Sequence, residues 1–394
     1  MNDSDAIDRY LTLTAIAGRS GEEKAVAETI VEMLTSAGLD DDCIGFDDAG
    51  RKTDPPGNVG NLIVTLPGDD SKPRMLLSAH MDTVPICVGC DPHRVGNEIH
   101  SRDGGTGLGA DDRAGCAAVV TAIIERLRQP SADHPPMVAA FLIQEEIGLR
   151  GARHLDGDRV GAVDHAINFD GGDPSKMTIG AIGGERMTIR IDGVPSHAGV
   201  APESGVSAIV IAAAAIADLH AGGWLGRIDR DGGTGTANVG VITGGDATNV
   251  ITPRVDLRAE ARSHDDAFRS RIVATIEDAF AHAAAAATND QGQTGKIHFV
   301  SHVDYEAFRL PDDHPTVRRL AREITAIGRD PSCSIGNGGL DANWLYQHGI
   351  ESITIGCGQR DIHTANERLD IPDYLDACRI ATALVTDPGP AAGD

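Results

Sequence analysis

The sequence predicts an α/β protein interrupted by a smaller α+β insert. Two observations carry that expectation. Short apolar runs alternate with helical patterns over residues 1–180 and again near the C-terminus, and between these stretches the texture changes to alternating strands with alanine-rich helices. A length of 394 residues leaves room for two domains. The boundaries read as 1–180 with 303–394 for the α/β part and 181–302 for the insert.

The elements follow in order. Ser20-Gly-Glu-Glu23 reads as a capping box, Ser20 accepting from the backbone and Glu23 reaching back. It opens a helix in which Ala25, Val26, Ile30, Met33 and Leu34 recur at helical spacing and which Gly38 closes. Strand-like runs follow at 61–66 and 75–78, then a small-residue helix at 113–128, then runs at 137–143 and 163–169. Beyond Gly180 strands are expected at 187–191, 237–242 and 255–259, helices at 208–219 and 267–287, and a Gly-rich turn at 231–235. After Val303 the earlier pattern resumes with a helix at 314–327, a strand at 352–356 and a helix at 371–385; the low-complexity tail from Thr386 reads as disordered.

Composition excludes several functions. With 34 Lys+Arg against 59 Asp+Glu, the net charge of −25 leaves no basic footprint for nucleic acid. No apolar stretch approaches the ~20 residues of a membrane helix, and the acidic start lacks the pattern of a secretory signal. A soluble cytoplasmic protein with neither nucleic-acid nor membrane partner is expected. Seven scattered cysteines read as reduced thiols, and Cys87-Val-Gly-Cys90 lacks the second pair that a zinc site would need.

Chemistry is concentrated where the apolar runs end. The run from Met75 ends at His80 and Asp82, the run from Met137 at Glu145 and Glu146, and the run from Val163 at Asp170. In an open α/β sheet the functional crevice lies outside the carboxyl ends of the strands, so these side chains converge although far apart in sequence. His363 and Asp111 are placed to join them. Taken singly each has a plain reading: Asp111-Asp112 is a helix-cap pair, Glu145-Glu146 a solvated pair and Asp170-Gly-Gly a turn. Taken together they form a mixed N/O set suited to two zinc ions, with cobalt or manganese as alternatives. Ions roughly 3.5–4 Å apart share a water, lower its pKa and polarise a carbonyl, which makes hydrolysis the natural reaction. The pattern does not separate Asp111 from Asp112.

The segments His80-Met-Asp82-Thr-Val-Pro, Gly109-Ala-Asp111-Asp112-Arg113-Ala-Gly115, Gln144-Glu145-Glu146-Ile-Gly148, Asn168-Phe-Asp170-Gly-Gly, Ser196-His197-Ala-Gly199 and His363-Thr, in unbroken order, resemble the zinc exopeptidases that include peptidase T, carboxypeptidase G and acetylornithine deacetylase. The resemblance is nearest to the peptidase T-like branch. It implies a mixed-sheet catalytic domain split by a lid or dimerisation domain. By the same resemblance His80 and Asp170 hold one zinc, Glu146 and His363 the other, and Asp111 bridges. Asp82 orients His80, and Glu145 is the general base that takes the proton of the bridging water and passes it to the leaving amine. His197 matches the histidine that relatives insert into the partner subunit's site to stabilise the oxyanion. Asn249 and Arg262 match substrate contacts, Arg262 facing the peptide's terminal carboxylate.

Two departures stand out. The family's lysine after the bridging aspartate is Arg113, and Asn337-Gly338-Gly339-Leu340-Asp341 lacks the arginine that peptidase T carries before its Gly-Gly, which weakens the case for strict tripeptide specificity. The expected activity is that of a homodimeric di-zinc aminopeptidase acting on short peptides. A carboxypeptidase or N-acyl amino acid deacylase would use the same centre. A non-catalytic binding protein would lack Glu145 or a ligand, and none is missing.

Overall fold

The computed structural model describes residues 1–131 and 133–387. Residues 388–394 of the low-complexity tail lie outside the described residues. Thr386, where that tail begins, instead ends the helix Ile371–Thr386, which Asp370 caps by accepting from the Asp373 N–H. The chain divides into two compact units, Met1–Ala181 with Arg309–Asp394, and Ile182–Phe308. The return to the first unit falls beyond residue 303 because Lys296–Tyr305 pairs along its length with Gly183–Asp192 in the second unit's sheet.

In the first unit four strands run parallel, in the spatial order Met137–Leu142, Met75–His80, His165–Phe169 and Ser352–Ile355. They are apolar and buried nearly throughout, as strands covered on both faces must be. Leu62–Leu66 joins Met137–Leu142 antiparallel and Ile44–Phe46 extends that side. On the other side Lys176–Ala181 runs antiparallel to Ser352–Ile355 and parallel to Ser332–Gly336, so the sheet is mixed. Because the four central strands share a direction, their carboxyl ends emerge along one edge.

The helix Ala110–Arg128 packs on Met75–His80 and His165–Phe169 and against the helices Asp3–Thr14 and Ile371–Thr386. It is buried from Ala110 to Arg126, which explains why its sequence shows no amphipathic stripe. Gly115 permits the close approach: a Cβ there would stand 2.0 Å from the Phe169 carbonyl oxygen. A small sheet of Gln359–Arg360, Arg368–Asp370, Glu98–Ser101 and Pro92–Val95 ties the segment carrying His363 to the chain near residue 100.

The second unit is a five-stranded antiparallel sheet, ordered Gly226–Arg230, Gly233–Gly244, Arg254–Ser263, Gly183–Asp192 and Lys296–Tyr305. Alternate residues of Gly183–Asp192, among them Met187, Ile189 and Ile191, pack with the helices Ala208–Ala221 and Asp266–Ala286 in a core of the unit's own. The turn at Asp231-Gly232 is a two-residue hairpin with φ of 53° and 79°, the conformation for which Asp-Gly is suited. Among the described residues no helix is long and apolar enough to cross a membrane.

Candidate metal centre

The edge formed by the parallel strands gathers the chemistry. His80 is the last residue of its strand, Glu145 and Glu146 follow Leu142, Asp170 follows Phe169, and His363 comes from the segment after Ile355. Asp111 stands at the front of the helix Ala110–Arg128, where it and Asp112 leave helical geometry.

Asp111 joins two histidines from opposite ends of the chain: Oδ1 lies 3.0 Å from His80 Nε2, and Oδ2 lies 3.2 Å from His363 Nε2. His363 Nε2 is also 3.0 Å from the Glu146 carboxylate. Glu145 Oε2 lies 4.0 Å from His80 Nε2. Two groups of potential ligand atoms each fall within 4.8 Å of one another, His80 with Asp111 and Glu146, and His80 with Asp112 and Asp170. Asp112 is already committed elsewhere. Its oxygens accept from the Gly115 N–H at 3.0 Å, the His80 N–H at 3.1 Å and Gln359 Nε2 at 2.8 Å, so it caps its helix and holds the strand end. Among the described residues Asp111 has only the two imidazoles as side-chain partners, a difference between neighbours that the sequence pattern did not show.

The electrostatics ask for cations. Asp82, Asp111, Asp112, Glu145, Glu146, Asp170 and Asp341 surround two imidazoles, and among the described residues no lysine or arginine lies within ion-pair distance of any of the seven. Burial, reinforced by the charge of Asp341, pushes the Glu145 carboxyl well above its usual range, and burial with the charge of Asp111 pushes Asp170 up to about 7. Asp341 is pushed up to about 8 by burial and by Asp170, and both its oxygens are buried without a hydrogen-bond partner. Hydrogen bonds to the Asp111 and Glu146 carboxylates, which favour the charged imidazolium, raise His363 to about 10. So much uncompensated acid in a buried place is costly unless positive charge is supplied, and a mixed imidazole and carboxylate set suits divalent ions. The residues present therefore fit a pair of metals.

The turn bearing both glutamates is held by other carboxylates. Asp82 Oδ1 accepts from the Glu145 N–H at 3.0 Å and Oδ2 from the Glu146 N–H at 3.2 Å, while its Oδ1 stands 3.4 Å from His80 Nδ1. Glu23 Oε1 accepts from the Gln144 N–H at 3.0 Å and steadies a residue whose φ of 53° costs on the order of 1 kcal/mol or more. These contacts overturn the capping-box expectation. The residue before the helix Lys24–Ser36 is Glu23, whose side chain does not cap it; Asn58 Oδ1 accepts from the Lys24 N–H at 3.1 Å instead, Ser20 Oγ donates to Asp82 Oδ2 at 2.6 Å, and Glu23 reaches the Gly21 N–H as well as Gln144. Sequence reasoning missed Ser20, Glu23 and Asp341 as parts of the site. The first two looked like local helix chemistry, and Asp341 followed a Gly-Gly turn that gave it no role. Arg113 is buried, and its Nη2 donates to the Gly18 carbonyl at 3.1 Å. Cys87 and Cys90 are buried free thiols.

The other expected residues lie in the second unit. His197 is exposed, bridges to Val250, and accepts from the Gly199 N–H through Nδ1 at 3.2 Å, which leaves the proton of a neutral ring on Nε2. Asn249 is close by, its carbonyl accepting from the Ala198 N–H at 2.9 Å. Arg262 is not. It sits near the far end of Arg254–Ser263, roughly 25 Å along the strand from the His197 turn, and pairs with Glu260 at 3.1 Å.

The sequence pattern of Peptidase family M20/M25/M40 matches residues 76–387. The chain belongs to this family. Like the family's solved members it has the mixed α/β architecture: the crystal structure of aminopeptidase PepT from Bacillus cereus superposes with a TM-score of 0.85 at 31% identity, covering 99% of this chain and 100% of that one. A Staphylococcus aureus tripeptidase gives a TM-score of 0.87 at 30% identity and 98% coverage of both chains. Peptidase T of Vibrio cholerae is 25% identical over 92% of this chain and 90% of its own length. The M20 chain is thus a peptidase-type hydrolase similar to aminopeptidases throughout its length.

Proposed function

We propose that this M20 member is a di-zinc aminopeptidase that removes the N-terminal residue of short peptides. The observation that carries the reading is Asp111, whose two oxygens are divided between His80 and His363. In this reading His80 and Asp170 hold one zinc, Glu146 and His363 the other, and Asp111 both, with cobalt or manganese able to substitute. When bound, the ions supply Lewis acidity that activates water and polarises the scissile carbonyl. Glu145 takes the water's proton and gives it to the leaving amine, a task suited to a buried carboxylate of raised pKa. Asp82 fixes the ring of His80 from Nδ1 and so leaves Nε2 for the metal. The likeness to an aminopeptidase and a tripeptidase along their full lengths supports the substrate class.

A homodimer belongs to the same reading. If His197 and Asn249 steady the oxyanion and substrate while Arg262 meets the terminal carboxylate, one copy of the second unit cannot bring all three to one site, because its sheet holds them at opposite ends. A second copy supplies the missing end. Val200, Ile209, Val210, Ile242 and Val250 are exposed apolar side chains of this unit, available to a partner. A cytoplasmic location completes the reading, supported by seven free cysteines.

The test is a screen of the zinc-loaded protein against free tripeptides, N-blocked peptides, C-amidated peptides and N-acetyl amino acids, with a chelated sample as control. Free peptides should be cleaved only by the metal-loaded enzyme. Hydrolysis of N-acetyl amino acids with none of peptides would overturn the assignment in favour of a deacylase.

A further inference from the structure

The loop that carries Asp111 is held from the far end of the chain. Glu367, in the same short segment as His363, is 2% exposed. Its Oε2 accepts from the Gly109 N–H at 2.7 Å, and its Oε1 from the Asp111 N–H at 3.1 Å. Cys87 Sγ donates to Oε2 at 3.3 Å. Gly107 lies against this cradle, where a Cβ would stand 2.9 Å from Cys87 Sγ and 3.2 Å from Glu367 Oε2. Glu367 thus has a donor on each oxygen and a third from a thiol.

The geometry of Asp111 makes this contact matter. Its backbone is non-helical, so its position does not follow from the helix behind it. Its N–H is instead anchored on Glu367, and its side chain is left to reach His80 with one oxygen and His363 with the other. Two converging N–H groups call for an acceptor with two oxygens and a negative charge. A glutamine would offer an NH₂ where one of those oxygens stands, and one of the two bonds would be lost.

We propose that Glu367 is the positioning residue that aims Asp111 between the two metal positions, with Cys87 as its third donor. Cys87 then has a use that is neither redox chemistry nor metal ligation. The proposal rests on the reading in which Asp111 bridges the metals. It adds that one segment delivers both a ligand, His363, and the anchor of another ligand from the opposite end of the chain. Loss of an outer partner of this kind typically lowers metal affinity by about 10–100-fold.

The experiment compares wild type, Asp111→Ala, Glu367→Gln and Glu367→Leu, each prepared metal-free and titrated with Mn²⁺. Affinity is read by calorimetry, stoichiometry by elemental analysis, and magnetic coupling between the ions by electron paramagnetic resonance. Wild type should take two ions with a coupled signal, and Asp111→Ala should lose the coupling. Glu367→Gln should unfold at the wild-type midpoint when metal-free, yet bind Mn²⁺ about 10–100-fold more weakly and with a reduced coupled signal. Glu367→Leu should do so more strongly; Glu367→Gln, of nearly native volume, carries the test should the leucine variant fail to fold. Wild-type coupling in Asp111→Ala would overturn the bridging assignment and this proposal with it. Loss of coupling in Asp111→Ala alone, with Glu367→Gln unchanged in affinity and signal, would overturn only the role of Glu367. So would weaker binding in Glu367→Gln that merely follows a lowered unfolding midpoint of the metal-free protein.

Discussion

Ser20 Oγ donates to Asp82 Oδ2 at 2.6 Å. Asp82 in turn takes the N–H groups of Glu145 and Glu146 and faces His80, so a hydroxyl from the start of the chain is the outermost link to three residues of the centre. Ser20→Ala should leave the metals bound and lower kcat/KM by about tenfold, the lower end of what outer partners contribute. Steady-state kinetics beside elemental analysis would check this. An unchanged kcat/KM would mean that the two backbone donors suffice to hold Asp82.

Adjacency makes Glu145 and Glu146 easy to confuse, yet their surroundings differ. Glu146 lies against His363, whereas Glu145 stands 4.0 Å from His80 and has no closer ion partner among the described residues. Glu145→Gln should keep two metals per chain and lose turnover by about 10²–10⁴-fold or more, since only proton transfer fails. Glu146→Gln should instead weaken one metal. Metal loss in Glu145→Gln would require the two roles to be exchanged.

Glu23 gives a pH dependence whose sign can be worked out. Burial, with the charge of Asp82, pushes its carboxyl from 4.5 up to about 7 in the folded chain. Below about pH 4.5 both states are protonated and nothing changes. Between the two values the folded chain keeps a proton that the unfolded chain has released, so stability falls as pH rises, and above about 7 the loss is complete. Glu23→Gln cannot ionise. In denaturant titrations of metal-free protein, its stability relative to wild type should therefore rise by on the order of 2–3 kcal/mol between pH 4.5 and 8. A difference independent of pH would show that Glu23 ionises normally.

His197 lies on an exposed turn of the second unit, and among the described residues its Nε2 has no hydrogen-bond partner. His197→Ala should keep both metals and lose roughly 10²–10³-fold in turnover, the usual cost of one oxyanion donor. If the residue acts from a partner, mixing His197→Ala with Glu145→Gln subunits should restore about a quarter of wild-type activity, because random pairing gives half mixed dimers with one complete site each. No recovery despite verified subunit exchange would refute action across a dimer.

Much of the fold was legible because periodicity is a local property. Burial on both faces makes a parallel strand read as a continuous apolar run, and Met75–His80, Met137–Leu142 and His165–Phe169 follow that rule. The strand Lys296–Tyr305 escaped notice because its outer face is polar and its pairing is with residues 183–192, far back in the chain. Pro92–Val95 and Glu98–Ser101 are short and largely polar, and they become strands only beside Arg368–Asp370.

The site divides along the same line. The amino-acid sequence by itself determined which residue types end the parallel strands, because chain direction fixes the edge on which those ends emerge, and this put His80, Glu145, Glu146 and Asp170 together. Only the tertiary structure decided which partners Asp111 and Asp112 take. Their neighbours in sequence are shared, and the distinction lies in donors brought from elsewhere: Gln359 with the His80 backbone for Asp112, and His80 with His363 for Asp111. The same holds for Ser20, Glu23 and Glu367, whose partners lie 62, 121 and 256 residues away. A hydrogen bond depends on a few tenths of an ångström and on direction, and across such separations only the packed chain fixes either.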